Sequence, residues 1–247
     1  MDTKTLCILG TCQNVEAFLP QVLSNLTTIA SWWKECKIVV YENDSTDNTS
    51  ALLHEWKAKG GHIEIVQETD LKLRYPNRVD RLAYIRNRLL HYVPPYFDYM
   101  FMVDMDDVFV NPVQKASFDA CFELSSWGVM TAATDWYYDI WALRVPNLIE
   151  FDCWTEYYRL LINGVSEKQA KFDAIEKFKE IMTYQRDVLL VHSAFNAGAL
   201  YQVSAIHPCC RYSGKSAEGL EICEHVPFQR CLRSHGTRIL FNPKFKL

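Results

Sequence analysis

The sequence predicts an α/β protein whose mainly parallel sheet is flanked by helices on both faces. Apolar, strand-like runs alternate with amphipathic helical segments through the first half of the chain, as expected for successive strand–helix units. With 49% hydrophobic and 23% charged side chains, the 247 residues have the composition of a globular protein. No linker or internal repeat divides the sequence, so we predict a single domain with two lobes over residues 1–247.

The elements of the first half follow from periodicity and from turn residues. Apolar residues spaced three and four apart predict the first helix, with Pro20 in its first turn. Acidic residues ending at Asp47 cap the second helix, which stops at Gly60 and Gly61. The predicted strands are 6–10, 37–41, 63–66 and 99–103, and the predicted helices are 15–26, 47–59 and 78–92.

The second half is less regular. Strands are predicted at 127–133, 142–145, 188–191 and 199–203, and helices at 151–162 and 167–182. The tail, residues 206–247, is rich in Cys, His, Arg and Pro, and we expect it to lie across an opening of the fold. Residues 1–110 are predicted as a nucleotide-binding half and 111–247 as an acceptor-side half.

Charge and hydropathy exclude some functions. The formal net charge of −4 argues against a protein that binds nucleic acid by neutralising phosphates. No uninterrupted apolar run has the roughly 20 residues of a spanning helix, so no transmembrane segment is predicted. The N-terminus lacks the features of a secretion signal. We therefore expect a cytoplasmic protein, whereas a Golgi or secretory location would require a targeting segment outside this sequence.

The nine cysteines are scattered, and no C-x-x-C pair is present, which argues against a structural zinc site. Cys7, Cys36 and Cys121 lie in apolar runs, where a reduced cysteine behaves as a small hydrophobic residue. The cluster at 209–231 would be able to form disulfides in an oxidising compartment. We predict free thiols.

Three carboxylates directly follow the apolar run at 99–103. Asp104, Asp106 and Asp107 repel one another unless a cation compensates their charge. Oxygen ligands suit Mn²⁺ or Mg²⁺, and open α/β sheets bind ligands at the carboxyl ends of their strands. The alternative is a solvated turn that caps the next segment. The position after a buried strand favours a metal site.

Two further polar features lie in the first half. The loop holding Glu42 and Asp44 again follows an apolar strand, so its oxygens suit ribose hydroxyls or a base edge, although helix capping is the simpler alternative. Arginines recur along the predicted helix at 78–92, and guanidinium groups bind phosphate through paired hydrogen bonds. Arg81 and Arg86 are our candidates, against the alternative that they are solvated surface residues.

These segments together resemble a known group of enzymes. Tyr41 to Asp47, Arg81 to Asn87 and Asp104 to Asp106 occur in this order and look like the nucleotide-sugar-dependent glycosyltransferases of the GT-A (Rossmann-like) fold. The likeness is closest to fungal capsule-associated mannosyltransferases and to glycosyltransferases of large DNA viruses. It covers about the first 110 residues well and continues more weakly through 138–144, 195–201 and 223–226.

The resemblance implies a UDP- or GDP-sugar donor held against Mn²⁺ or Mg²⁺, and a glycan hydroxyl as acceptor. Asp104 and Asp106 would hold the metal with a C-terminal histidine, for which we choose His225 over His207, His192 and His235. Whether Asp107 replaces Asp104 in this pair is left open. The implied donor contacts are Thr11, Gln13, Asn14, Glu42, Asp44, Arg81, Arg86, Asp104, Met105, Asn196 and Gly198.

An inverting transfer also needs a carboxylate that takes the proton of the acceptor. Asp135 and Asp139 follow a predicted strand and are our catalytic candidates, with hydrogen bonding to sugar hydroxyls as the alternative role. Two other classes of protein stay open from the sequence. One is a metal-dependent nucleotidyltransferase or phosphohydrolase, and the other is a non-catalytic sugar-binding module suggested by the many aromatic residues.

Overall fold

The computed structural model describes all 247 residues. The strands are β1 (Thr5–Cys12), β2 (Glu35–Asn43), β3 (Ile63–Glu68), β4 (Tyr99–Asp104), β5 (Val129–Ala133), β6 (Leu189–Val191), β7 (Gly198–Gln202) and β8 (Ile239–Lys246). The helices are α1 (Leu19–Ala30), α2 (Thr49–Ala58), α3 (Leu71–Arg74), α4 (Arg78–Leu90), α5 (Lys115–Phe122), α6 (Cys153–Ile162), α7 (Glu167–Lys171), α8 (Lys177–Thr183) and α9 (His225–Ser234).

All eight strands form one sheet in the order β3-β2-β1-β4-β7-β5-β8-β6. Strands β1 to β4 pair in parallel, and β5 pairs in parallel with β8. Only β6 and β7 run in the opposite direction, since β7 is antiparallel to both β4 and β5 and β6 is antiparallel to β8. The predicted mainly parallel sheet flanked by helices is confirmed.

The sheet is buried on both faces, as a parallel sheet must be. One hydrophobic cluster of 38 buried residues includes Cys7 and Leu9, and a second of 29 includes Leu6 and Ile8. Because successive side chains of β1 point to opposite faces, these two clusters lie on the two sides of the sheet. No helix has both the length and the apolar character that crossing a bilayer requires.

The prediction for the N-terminal elements agrees with the structure. Pro20 lies in the first turn of α1, and the Asp47 carboxylate accepts a hydrogen bond from the Thr49 amide at the start of α2. The side chain of Asn77 caps α4 by accepting from the amides of Val79 and Asp80. The helix predicted at 167–182 is present, but its middle, Phe172–Glu176, is a π-helical segment between α7 and α8.

The predicted strand at 142–145 is wrong. This segment forms only isolated bridges, from Arg144 to Ser193 and from Val145 to Ile149. The buried Arg144 guanidinium donates to the carbonyls of Trp141 and Leu143 and to the carboxylate of Asp152. These hydrogen bonds hold the segment in a turn. A following proline at 146 also removes a ladder donor.

The tail does more than lie across an opening. It contains α9 and β8, and β8 lies inside the sheet between β5 and β6. Pro243 obscures this strand in the sequence, because proline is rare within a sheet. The ladder with β5 is irregular around it: Thr131 pairs with Phe241, whereas Ala133 pairs with Lys246. Helix α5 also was not predicted.

The prediction of free thiols is wrong at two positions. Cys210 and Cys231 form a disulfide, with Cα atoms 5.5 Å apart, and the other seven cysteines are free. Cys231 lies on α9, and Cys210 lies in the segment that leads from β7 towards that helix. Cys7 and Cys121 are buried hydrophobic residues, as predicted.

Candidate active site

A cavity of about 440 Å³ lies at the carboxyl ends of β1, β2 and β4. This is the edge at which open α/β sheets bind ligands. Ten of the residues predicted for the site line it together: Thr11, Gln13, Asn14, Arg81, Arg86, Asp104, Met105, Asp106, Asp139 and His225. These residues come from both halves of the sequence, and the fold brings them together around one cavity.

The acidic turn after β4 is held in place by packing. Met105 is 1% exposed and lies against Gly10 of β1, where an added Cβ would come 2.2 Å from the Met105 sulfur. Gly10 is therefore needed for this close approach. The amide of Asp104 donates to the Ala197 carbonyl at 2.9 Å, and Asp106 Oδ1 accepts from the Val108 amide at 3.4 Å. These contacts present Asp104 and Asp106 to the cavity.

The surroundings of the turn after β4 disfavour the ionised form of Asp106. Burial and the nearby Asp104 carboxylate raise the pKa of Asp106 to about 6. Asp107 is exposed and does not line the cavity. The geometry therefore favours Asp104 with Asp106, rather than Asp106 with Asp107, as the pair that faces a ligand.

Arg86 connects this turn to α9. Its guanidinium is 3% exposed, donates from Nη2 to Asp104 at 3.0 Å and from Nε to Glu224 at 2.9 Å, and lies 4.9 Å from the centre of the Phe195 ring. Its Nη1 is buried and has no hydrogen-bond partner. Buried polar groups are normally paired, so this nitrogen is a donor available to a cavity ligand.

His225 begins α9 and is 2% exposed. Its ring stacks on Phe195 with centroids 3.7 Å apart, and both ring nitrogens are buried without a hydrogen-bond partner. Burial and the nearby Arg86 charge lower the pKa of His225 well below its usual value. The imidazole is thus neutral at physiological pH and has a lone pair for a metal ion or a ligand donor.

The loop after β5 contributes Tyr138 and Asp139. Asn196 holds it, because its Oδ1 accepts from the amides of both residues, at 3.1 Å and 3.5 Å. Burial, above all, raises the pKa of Asp139 to about 6, although its Oδ1 accepts from the Ala142 amide. The Tyr138 hydroxyl is buried and unpaired. Asp139 therefore has the basicity expected of a residue that accepts a proton near neutral pH.

The remaining basic and amide groups lie at the outer part of the cavity lining. Arg81 donates to the Tyr75 carbonyl at 2.7 Å, which fixes its guanidinium at the start of α4, one turn from Arg78. The β1 and β2 loops are tied to each other, since Gln13 donates to the Asn43 carbonyl and the Asn14 side chain accepts from the Thr46 amide. The first loop is therefore a fixed wall of the cavity.

Three of the predicted acidic residues do not line the cavity. The Glu42 carboxylate accepts from the Ser45 amide and the Gln67 side chain, and Asp44 accepts from the Lys72 amide. Both therefore hold the β2 loop through hydrogen bonds to its own residues and to neighbouring segments. Asp135 has 78% of its side chain exposed and pairs with Lys246 at 2.5 Å. The structure brings only Asp139 of the two catalytic candidates to the cavity.

Asn196 and Gly198 also lie outside the cavity lining, so the structure does not support their predicted contact with a donor. Asn196 is fully buried and supports the 138–139 loop from a left-handed conformation with φ of 53°. Gly198 lies in β7, where an added Cβ would come 2.8 Å from Leu247 and 2.9 Å from Phe101. Its missing side chain therefore serves core packing.

Sequence reasoning missed several lining residues. Glu224 is 4% exposed and binds Arg86, and its position directly before His225 was a signal that it belongs to the same site. Phe195 supports the His225 ring. Asn43, rather than its neighbours Glu42 and Asp44, faces the cavity. Asp44 lies beyond the end of β2, where its left-handed backbone, with φ of 51°, turns the chain.

The cavity lining contains residue types that bind divalent metal ions. Two carboxylates and a neutral imidazole with unpaired nitrogens line one cavity, and oxygen ligands with one nitrogen suit Mn²⁺. The acidic residues of the lining also favour a bound cation. Asp106 and Asp139 both have raised pKa values, which a cation would lower. The three arginines Arg78, Arg81 and Arg86 complement an anionic ligand bound next to the ion.

Known structures share this fold. The mannosyltransferase PcManGT from Pyrobaculum calidifontis matches 98% of this chain and 55% of its own with a TM-score of 0.52 and 11% identity. S. aureus TarS matches 97% of this chain and 35% of its own with a TM-score of 0.54 and 13% identity. The chain thus spans about half, or less, of the length of these proteins. No protein of curated function matches the sequence significantly.

Family membership is decided by the sequence itself. The family model described as Cryptococcal mannosyltransferase 1 matches residues 5–229, which is most of the chain and includes every lining residue of the cavity. This favours a glycosyltransferase over a phosphohydrolase, a nucleotidyltransferase and a sugar-binding module. The chain belongs to the Cryptococcal mannosyltransferase 1 family and has the GT-A fold.

Proposed function

We propose that this glycosyltransferase moves a sugar from a UDP- or GDP-sugar to a hydroxyl of a glycan acceptor, with Mn²⁺ or Mg²⁺ as cofactor. One observation carries the proposal: Arg86 Nη1, the Tyr138 hydroxyl and both nitrogens of His225 are buried and unpaired around the same cavity. Unpaired buried polar groups are costly, and a polar, anionic ligand would satisfy them.

In this proposal the cavity has two sides. Residues 1–110 bind the nucleotide, with Thr11, Gln13 and Asn14 at the nucleoside and Arg81 and Arg86 at the diphosphate or sugar. Residues 111–247 supply the acceptor side. PcManGT, which shares the fold, forms a complex with GDP-Man and Mn²⁺. Together with the mannosyltransferase family, this makes GDP-mannose the first donor to test.

The chemistry follows from the charge that develops during transfer. The bond between the anomeric carbon and the diphosphate breaks, and the leaving group gains negative charge. Arg86 and Arg81 line the cavity and would stabilise that charge, and the burial of Arg86 strengthens its effect. A divalent cation held by Asp104, Asp106 and His225 would supply further charge neutralisation at the diphosphate. For an inverting transfer, Asp139 takes the proton of the acceptor hydroxyl.

Donor binding tests the proposal directly. We expect calorimetry with GDP-mannose and a panel of UDP- and GDP-sugars to show affinity about tenfold or more higher with Mn²⁺ than with a chelator, because the carboxylates repel the diphosphate without a cation. Equal affinity in the two conditions, across the panel, would contradict the proposed metal-dependent donor site.

A matched pair of variants assigns the effect to the turn after β4. Asp106→Asn removes a cavity carboxylate, and we expect it to lower Mn²⁺-dependent donor binding and transfer by about 100-fold. Asp107→Asn changes the adjacent exposed residue, and we expect donor binding close to that of the unchanged protein. Similar losses in both variants would show that the local charge matters rather than the Asp106 ligand position.

A further inference from the structure

A second group of metal-ligating side chains lies at the other end of α9. His207, Cys209 and Cys210 follow β7, and His235 closes α9. We call these four residues the His/Cys cluster. None of them lines the cavity. His225 and His235 are ten residues apart on α9, which corresponds to about 15 Å along a helix, so this cluster is separate from the proposed donor site.

The geometry of the cluster resembles that of a tetrahedral ion site. One ligand atom from each of the four residues lies within 4.8 Å of all the others. Cys209 Sγ is 3.0 Å from His207 Nδ1 and 3.8 Å from His235 Nε2. Around Zn²⁺, with bonds of about 2.0–2.3 Å, neighbouring ligand atoms lie about 3.3–3.8 Å apart. Small side-chain adjustments would bring the four atoms onto one ion.

Hydrogen bonds orient both imidazoles for this role. His235 Nδ1 lies 2.9 Å from the Cys231 carbonyl, which can only accept, so Nδ1 carries the proton and Nε2 has a lone pair directed towards Cys209. The Cys209 amide donates to His207 Nδ1 at 3.3 Å, so that nitrogen carries a lone pair, and binding an ion through it would replace this hydrogen bond. The two rings stack with centroids 3.7 Å apart. Protonated histidines would repel each other in this position.

The disulfide between Cys210 and Cys231 determines whether all four residues of the His/Cys cluster are free to bind an ion. A disulfide sulfur is no thiolate, so only Cys209 and the two histidines are free ligands while the bond is closed. A phosphine and water reduce the bond, giving the Cys210 and Cys231 thiols and the phosphine oxide. Zn²⁺ then binds Cys209 and Cys210 as thiolates, and two protons are released.

We propose that the reduced protein holds one Zn²⁺ on the His/Cys cluster, with His207, Cys209, Cys210 and His235 as the four ligands. Cys210 is buried, whereas the other three residues are exposed, so the ion can enter from solvent. The ion replaces the disulfide as the tie between the segment after β7 and the end of α9. Sequence reasoning did not find this site because His207, Cys209 and Cys210 form no C-x-x-C motif and the fourth ligand, His235, follows more than 20 residues later.

The experiment measures Zn²⁺ bound per chain after reduction with a phosphine, removal of metal and re-addition of Zn²⁺, using a chromophoric chelator as competitor. We expect one tightly bound ion and a higher Tm with Zn²⁺ than without it. Cys209→Ser and His235→Ala should each weaken binding by about 100-fold or more and lose the Tm increase. Cys36→Ser and His62→Ala are matched controls on β2 and before β3, and should bind as the unchanged protein does.

The disulfide partner gives a second test. Cys231→Ser leaves Cys210 as a thiol, so this variant should bind Zn²⁺ tightly without any reductant, whereas Cys210→Ser should bind weakly even after reduction. Co²⁺ in place of Zn²⁺ should show the strong visible absorption of a tetrahedral thiolate site in Cys231→Ser and not in Cys209→Ser. Binding by Cys209→Ser equal to that of the unchanged protein, or no tight binding after reduction, would overturn the proposal.

Discussion

At the scale of single residues, the site depends on polar groups that the fold leaves without partners. Arg86, Tyr138 and His225 each have a buried side-chain atom with no hydrogen bond. The sequence allows Arg86 and His225 to be selected by residue type and motif. It gives no sign that their atoms are unpaired, since this depends on contacts with Phe195 and Glu224 from other elements.

Asp139 gives a prediction about pH. Because burial raises its pKa to about 6 from a usual value near 4, the carboxylate is ionised only above about pH 6. As a base it must be ionised, so kcat at saturating donor and Mn²⁺ should rise with pH through the pKa of Asp139, which the bound cation lowers from about 6, and should then level off. Asp139→Asn should lower kcat by about 10²–10⁴-fold and abolish this rise.

The control for this measurement is Asp135→Asn. Asp135 belongs to the same loop but has 78% of its side chain exposed, so this change should alter kcat by less than about twofold. If Asp139→Asn kept the full rate at pH 8 while Asp135→Asn lost it, our assignment of the base would be wrong.

At the scale of elements, the contact between β1 and the turn after β4 positions the carboxylates. Gly10 pairs with Val103 across the two strands, and Met105 covers the space where a side chain on Gly10 would lie. A mainly parallel sheet with polar residues after its strands was predicted from the sequence, but the pairing of β1 with β4 was not. The dependence on Gly10 was not predicted either, because it requires the register of the strands.

Gly10→Ala tests this dependence. The new Cβ would collide with the Met105 sulfur, and overpacking of this kind costs about 1–3 kcal/mol of the free energy of unfolding. Displacement of the turn should also weaken Mn²⁺-dependent donor binding. Denaturation and calorimetry measure the two effects.

A double-mutant cycle identifies the cause. In a Met105→Ala background the collision is absent, so Gly10→Ala should cost at least about 1 kcal/mol less there than in the unchanged protein. If the two costs were equal, the loss would arise from the backbone of β1 and not from the contact with Met105.

The prediction of elements was best where periodicity is local. Strands β1 to β4 and helices α1, α2 and α4 were all found within a few residues of their observed bounds. Strand β8 was missed because Pro243 interrupts it, and the strand predicted at 142–145 failed because Arg144 draws the chain into a turn. Strand β8 depends on its pairing with β5 and β6, which a local sequence window does not contain. The contacts of Arg144 are local, with sequence separations of 3, 1 and 8, but periodicity does not reveal them.

At the scale of the whole molecule, one sheet joins the two halves. Strand β8 pairs with β5 and β6. Phe241 and Phe245 of this strand, and Leu247 directly after it, belong to the buried clusters on the two faces of the sheet. The cavity likewise takes Arg86 from one half and His225 from the other. The sheet and the cavity therefore both take residues from the two halves predicted from sequence.

Removal of residues 239–247 tests this unity. Five buried hydrophobic side chains are lost: Ile239, Leu240, Phe241, Phe245 and Leu247. At roughly 1.5–3 kcal/mol each, their burial is comparable with the whole free energy of unfolding of most domains. We expect the shortened chain to show no cooperative thermal transition by circular dichroism.

Lys244→Ala is the control, since Lys244 lies on the same strand and its side chain is exposed and paired only with Glu123. It should unfold within about 0.5 kcal/mol of the unchanged protein. A shortened chain that unfolded as cooperatively as this control would show that the sheet does not need β8.

The position of β8 also has a consequence for biosynthesis. Strand β6 pairs with β8 alone, and β8 is made after every other strand. During translation the β5 edge and β6 therefore wait without a partner while the intervening segment emerges. Both are open to pairing with other nascent polypeptides in that interval. A ribosome-associated chaperone that shields strand edges would thus have its greatest effect on this protein late in synthesis.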